Sequence, residues 1–196
     1  GEAIMKKQYS EPDRKNVNNY MLDTSAYNHI VASSEKLDAV KKSVSFGFCY
    51  YSTAIQDLEL SGEGAKTYNK ECIPIIKKPM PLEMIQKFRQ LDTELDVKLL
   101  PEIATCMLNH SRLDGTNRFC DPNSIEGQLF EKIANKNKHD GNRPFEYSHD
   151  AIIAEAAVHY DCTLVSDDKE LRDLINATPS GRAITTDELL EKINTY

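Results

Sequence analysis

The sequence predicts an α/β fold: a parallel-sheet core flanked by helices, with an extended helical insertion in the middle of the chain. Two observations carry this. Short apolar runs, Tyr20-Met21-Leu22, Val44 to Tyr51, the run through Leu164-Val165 that ends on Asp167-Asp168, and Ala183-Ile184, alternate with segments of helical spacing, and most run directly into helix-capping residues. Between the second and third of these runs lies a long helical stretch, about residues 79–138, that the alternation does not need.

Residues 1–18 are polar, carry Pro12 and lack periodicity, and read as an N-terminal tail or loose lead-in. Residues 19–196 read as a single domain. Tyr20-Met21-Leu22 fits a buried strand, and Asp23-Thr24-Ser25 places three capping residue types ahead of a helix carrying Ile30 and Val31. Ser33-Ser34-Glu35-Lys36 starts a second short helix with Leu37 and Val40. Val44 to Tyr51 is rich in Val, Phe and Tyr and reads as the second strand. Ser52-Thr53 caps the next helix, with Ile55 and Leu58 three apart.

Pro74, Pro79 and Pro81 break the chain. Leu82, Ile85, Phe88, Leu91, Leu95 and Leu99 then recur at the spacing of the strongest amphipathic helix in the sequence. Pro101 suits the first turn of a further helix through Ile103, Met107 and His110, and Asp114-Gly115-Thr116-Asn117 reads as a turn. Ser124 caps a helix carrying Ile125, Leu129 and Ile133. Within Tyr147 to Asp168 an alanine-rich helix opens on Asp150 and a short apolar third strand ends on Asp167-Asp168, and Thr185 stands three residues before Glu188 in a capping-box pattern.

Composition excludes several classes. Hydrophobic residues make up 40% of the chain and charged residues 28%, as in an ordinary globular protein. No apolar run has the length of a membrane span and no segment resembles a signal peptide, so a cytoplasmic location is expected. The five cysteines are scattered and odd in number, without paired metal-ligand spacing, and reduced thiols are expected. A net charge of −7 argues against nucleic-acid binding through the bulk surface, so a nucleic-acid partner would be held by local basic patches and by cations at an acidic site.

Four acids fall at strand-to-helix junctions: Asp23, Asp57, Asp150 and Asp168. In one doubly wound sheet these junctions can share an edge, where α/β proteins place ligands. Carboxylates drawn together repel and their pKa values rise, and hard divalent cations relieve this. Oxygen donors without cysteine or histidine suit Mg²⁺ or Mn²⁺, and such ions can activate water against a phosphodiester. Taken singly, each acid is as well explained as a helix cap. The ordered set is not.

The same stretches resemble the PIN-domain nucleases, including the VapC-type toxins of toxin–antitoxin pairs. Met21-Leu22-Asp23-Thr24-Ser25 is similar to the family's first-strand motif. Asp150-Ala151-Ile152-Ile153-Ala154-Glu155-Ala156 and Leu164-Val165-Ser166-Asp167-Asp168-Lys169-Glu170-Leu171 are similar to its third and fourth acidic motifs. The resemblance implies a PIN-like fold and a metal-dependent endoribonuclease. It implies Asp23, Asp150 and Asp168 as metal ligands, Ser25 and Ser166 as supporting hydroxyls, and Asp167 in an open supporting role. It also implies an RNA substrate, an antitoxin protein partner and a homodimer. The family's second motif is a glutamate followed by an apolar residue. Asp57 fits its place between Ile55 and Leu58 and is preferred, with Glu59, followed by Leu60, as the rival.

Lys132, Lys136, Lys138 and Arg143, clustered ahead of Asp150, are candidates for contacts to an RNA backbone, with Lys77, Lys78, Arg112 and Arg118 as further ones. Each alone reads more readily as part of a solvated helix face, and the case rests on the group. A non-catalytic module of the same fold, binding RNA or a protein, is the alternative function. A phosphoacceptor receiver domain is excluded, because the first strand offers Asp23 without an acidic pair and the last offers no lysine.

Overall fold

A computed structural model describes residues 7–60, 67–68, 74–75, 80–100, 121–134 and 148–196. The strands are β1 (Asn19–Leu22), β2 (Cys49–Ser52), β3 (Thr67–Tyr68), β4 (Pro74–Ile75), β5 (Lys98–Leu99), β6 (Thr163–Val165) and β7 (Ala183–Ile184). The helices are α1 (Thr24–Val31), α2 (Ser34–Ser43), α3 (Ala54–Leu60), α4 (Leu82–Glu94), α5 (Ile125–Ala134), α6 (Ser148–His159), α7 (Lys169–Asn176) and α8 (Thr186–Asn194). Five strands form one parallel sheet in the order β5-β2-β1-β6-β7, and β3 and β4 pair antiparallel apart from it. The predicted class, a parallel sheet flanked by helices, is the class observed.

The sheet is short, and its central strands are apolar on both faces, as burial between two helix layers requires. Side chains alternate across it. Tyr20, Leu22, Tyr50 and Val165 pack with Tyr27 and Ile30 of α1, Phe88 and Leu91 of α4, and Leu189 and Ile193 of α8. Met21, Tyr51 and Leu164 face the other way, into Leu129 and Ile133 of α5, the alanines of α6, and Leu171 and Ile175 of α7. The alanine run of α6 explains its position. Small side chains let this helix lie close to both the sheet and α5, and it is buried along most of its length.

Three sequence expectations differ from the structure. Residues 44–46 form a 3₁₀ turn continuing α2, and β2 begins only at Cys49. Gly47, at φ 87°, takes the left-handed conformation that ends the helical run and turns the chain into the strand. The amphipathic helix after Pro81 stops at Glu94, because Asp96 adopts φ 49°, and Leu99 then pairs beside Ser52 in edge strand β5. Part of the 79–138 range is therefore sheet and core rather than an inserted cap. Part of the lead-in is paired: Leu99 N–H donates to the Gln8 carbonyl at 3.0 Å and Ser10 N–H donates to the Leu99 carbonyl at 3.1 Å, so residues 8–10 extend the edge. The helix expected after Pro101 and the turn at residues 114–117 lie outside the described residues.

Among the described residues no helix is long and apolar enough to cross a membrane.

Candidate active site

The strand order reverses direction at β1, where β2 lies on one side and β6 on the other, and a crevice at such a switch point is the usual ligand site of an open α/β sheet. Register places the functional side chains there. Leu22 pairs with Val165, so the next residues, Asp23 and Ser166, leave the sheet side by side, and Asp23 N–H donates to the Val165 carbonyl at 3.1 Å.

Two serines stitch these junctions together. Ser25 Oγ donates to Asp23 Oδ1 at 2.6 Å and accepts from Asp167 N–H at 3.0 Å. Ser166, fully buried, accepts from Asp168 N–H at 3.1 Å, and its hydroxyl lies near enough to Asp23 to favour the charged carboxylate. Asp23 also caps α1, accepting from Ala26 N–H at 2.9 Å, and Asp168 caps α7, accepting from Leu171 N–H at 3.1 Å. The aspartates that cap these two helices also stand at the ends of the paired strands β1 and β6. Burial pushes the Asp23 pKa up. Its donors from Ser166, Ser25 and Ala26 pull the other way, while the charge of Asp167 adds to the rise.

Asp167 is turned to a different task. Its carboxylate accepts from Thr186 N–H and Oγ1, both at 3.2 Å, and lies 2.7 Å from His29 Nδ1. Partial burial raises its pKa, but His29 and Thr186 outweigh this and the net direction is down. These contacts tie the loop after β6 to α1 and to the start of α8.

Asp150 sits half-buried in the first turn of α6. Helix α6 packs against α3, which brings in the second acidic position. Residues two apart on a helix point about 200° apart, so Asp57 and Glu59 cannot both face the same groove. Glu59 Oε2 accepts from Thr24 Oγ1 at 2.5 Å and Oε1 lies 3.2 Å from His149 Nδ1. Its partners are the immediate neighbours of Asp23 and Asp150. Asp57 instead pairs with Lys7, which also reaches Asp92 at 2.6 Å and Ser52 Oγ at 3.1 Å. Tyr27 donates to Asp92 in the same group. Burial raises the pKa of Asp92 against the pull of Lys7 and Tyr27.

A further contact fixes Glu59. Gln56, one turn earlier on α3, accepts from Thr53 N–H as in half a capping box and donates through Nε2 to the Leu22 carbonyl at 2.7 Å. It ties α3 to the end of β1, one residue before Asp23. Sequence reading missed Gln56, Thr24, His149 and Lys7. The first three had a signal, lying three residues before Glu59 or next to Asp23 and Asp150. Lys7 had none.

A comparison with protein-family models and one with curated proteins each found no match. Among solved structures, the chain is similar to one described as VapBC2 from Rickettsia felis bound to a DNA fragment from their promoter. The identity is 12%, the TM-score is 0.44, and the likeness covers 85% of this chain and 97% of that one.

Among the described residues no three acid, histidine or cysteine side chains stand close enough to form a ready-made metal site. The donor chemistry nevertheless fits a hard cation. The groups at the crevice are carboxylates and serine hydroxyls, and Asp23 is already pushed toward its neutral form by burial and a neighbouring charge, a cost that a cation offsets. Of the basic candidates, Lys132 is exposed on α5. Lys136, Lys138 and Arg143, with Lys77, Lys78, Arg112 and Arg118, lie outside the described residues.

Proposed function

We propose that this protein is a metal-dependent endoribonuclease that hydrolyses RNA phosphodiester bonds. The observation that supports this best is the linkage of the ends of β1 and β6 with α3 and the start of α6. Two serines join Asp23 to the Asp167-Asp168 loop, and Glu59 joins Thr24 to His149, the neighbours of Asp23 and Asp150. On this reading Asp23, Asp150 and Asp168 hold Mg²⁺ or Mn²⁺, and Glu59 rather than Asp57 is the fourth acid. The bound ion would supply activation of water and neutralisation of phosphate charge.

The chain's own residues set the geometry. Ser25 fixes the rotamer of Asp23 by donating to its carboxylate, and Ser166 holds the Asp168 amide beside it. Gln56 sets the position of α3 against β1, so that Glu59 meets Thr24 and His149. Lys132 is a candidate for contact with the RNA backbone. The sequence resemblance adds an antitoxin protein, a homodimer and a cytoplasmic setting as proposals of the same reading.

The test is cleavage of RNA with Mn²⁺ by single Asp23→Asn and Asp150→Asn proteins. Loss of cleavage in both is expected, and full activity in both would overturn the assignment. One observation favours a second reading, a non-catalytic module: no three candidate ligands are gathered among the described residues. Calorimetry separates the two, because Mn²⁺ binding that vanishes in Asp23→Asn belongs to the nuclease and not to a module without a metal site.

A further inference from the structure

At the opposite end of the sheet from the acids is a cavity of about 510 Å³. Thr163 and Ala183, the first residues of β6 and β7, and Asn16 and Val17, just ahead of β1, lie on its wall. Its charge is the reverse of the crevice and of the whole chain. Arg14, Arg182 and Lys192 line it, against one acid, Asp161.

The scaffold of this cavity is built. Arg182 Nη2 donates to the Asp161 carbonyl and pairs with its carboxylate, both at 2.9 Å, and its Nε donates to Thr163 Oγ1 at 3.3 Å. Asp161 presents both groups from a left-handed backbone, φ 57°, in the turn between α6 and β6. Asn176 brackets Ala183, donating to its carbonyl at 3.0 Å and accepting from its N–H at 2.8 Å. Asn16 donates to Asn19 at 3.1 Å and accepts from Asn18 N–H at 3.0 Å. These side chains hold the strand ends and have little left to offer a ligand.

Arg14 and Lys192 differ. Arg14 uses one Nη2 bond, to the His159 carbonyl at 2.9 Å, and among the described residues it meets no carboxylate. A guanidinium has five N–H donors, so most of its fork is free. Lys192 makes no side-chain hydrogen bond or ion pair among the described residues. Arg182 is neutralised by Asp161, which leaves Arg14 and Lys192 as lining cations without a carboxylate partner among the described residues, in a chain of net charge −7. The volume is that of a small-molecule site.

We infer that this cavity binds a small phosphomonoester of nucleotide size, with the Arg14 fork and the Lys192 ammonium on the phosphate and Arg182 as the fixed wall behind it. Arginine suits phosphate because its planar donors match the oxygens, and lysine adds a mobile point charge. The site stands independently of the nuclease reading.

Calorimetry in metal-free buffer with chelator tests this, using inorganic phosphate, a nucleoside 5′-monophosphate and the matching nucleoside. The monophosphate should bind, phosphate more weakly, and the nucleoside not at all. An Arg14→Gln/Lys192→Gln double variant, altered at two exposed positions, should bind the monophosphate ~10-fold or more weaker, as loss of charged hydrogen bonds predicts. Lys192→Gln alone should weaken it in the same direction, and Asp23→Asn should leave it unchanged. The inference fails if the nucleoside binds as well as its monophosphate, if the double variant binds normally, if millimolar monophosphate does not bind, or if binding is lost in Asp23→Asn instead.

Discussion

The pair Glu59→Gln and Asp57→Asn separates two acids that stand two residues apart on α3. Glutamine keeps the shape of Glu59 and can still accept from Thr24, so the fold should be little affected; what is lost is a charge facing the neighbours of Asp23 and Asp150. If that charge helps hold a cation worth several kcal/mol to the reaction, losing even ~3 kcal/mol slows cleavage by about a hundredfold. Asp57 is 37% exposed, and its partner Lys7 keeps Asp92 and Ser52 when Asp57 is neutralised. An ion pair this exposed contributes ~0–1 kcal/mol, which for a chain of this length lowers the melting temperature by roughly 4 °C at most. The assay is Mn²⁺-dependent cleavage of a labelled RNA under single-turnover conditions, with a thermal melt of each variant. Expected are a folded, nearly inactive Glu59→Gln and an active, slightly less stable Asp57→Asn. The reverse pattern would make Asp57 the fourth acid and refute the reasoning from α3 geometry.

Other perturbations follow from the same contacts. Asp23→Asn should stabilise the metal-free protein at neutral pH, since asparagine caps a helix as well as aspartate does. Burial holds the folded pKa of Asp23 above its unfolded value, so the gain seen in thermal melts should be full above the folded pKa and fade as pH falls toward the unfolded one. Lys7→Met leaves Asp57 and the 13%-exposed Asp92 without their cation. Scaled down from the ~3–5 kcal/mol of a fully buried pair to ~2–3 kcal/mol, the loss should lower the melting temperature by roughly 5–10 °C, and the deficit should shrink in acid as Asp92 protonates. Gly127→Ala should destabilise although alanine is the better helix former, because its Cβ would meet the Asp121 carbonyl oxygen at 2.2 Å; overpacking of this kind costs ~1–3 kcal/mol by denaturant titration.

The sequence made the fold legible wherever one residue type settles one backbone position. Asp23, Ser124, Asp168 and Thr185 each cap the helix that their spacing announces. It was less informative where two structures share a pattern. Leu91, Leu95 and Leu99 are four apart, as in a helix, yet the chain turns at Asp96 and Leu99 belongs to a strand of two residues. A strand that short has no alternation to read, and only pairing with Ser52 and residues 8–10 defines it. The sequence does not separate Asp57 from Glu59 for a similar reason. Both acids have apolar neighbours, and the partner that draws Asp57 away, Lys7, comes from a segment with no periodicity to mark it as structured.

What holds the crevice together is sheet register more than any one acid. Because Leu22 lies opposite Val165, Asp23 and Ser166 emerge together, Ser25 donates to Asp23, and both serines accept an amide from the loop after β6. A slip of one residue between β1 and β6 would send Met21 and Leu164 to the wrong faces, and both cores would lose their fit. The apolar packing that selects the register therefore also places the carboxylate. The same logic reaches α3, where Gln56 bonds the last carbonyl of β1 and so carries the position of that strand into the position of Glu59. Disturbing Gln56 should thus impair the acid it does not touch: Gln56→Leu, similar in size and unable to bond Leu22, is expected to reduce cleavage with Asp23 and Glu59 both intact. Unchanged cleavage in a folded Gln56→Leu protein would show that α3 is positioned by packing alone.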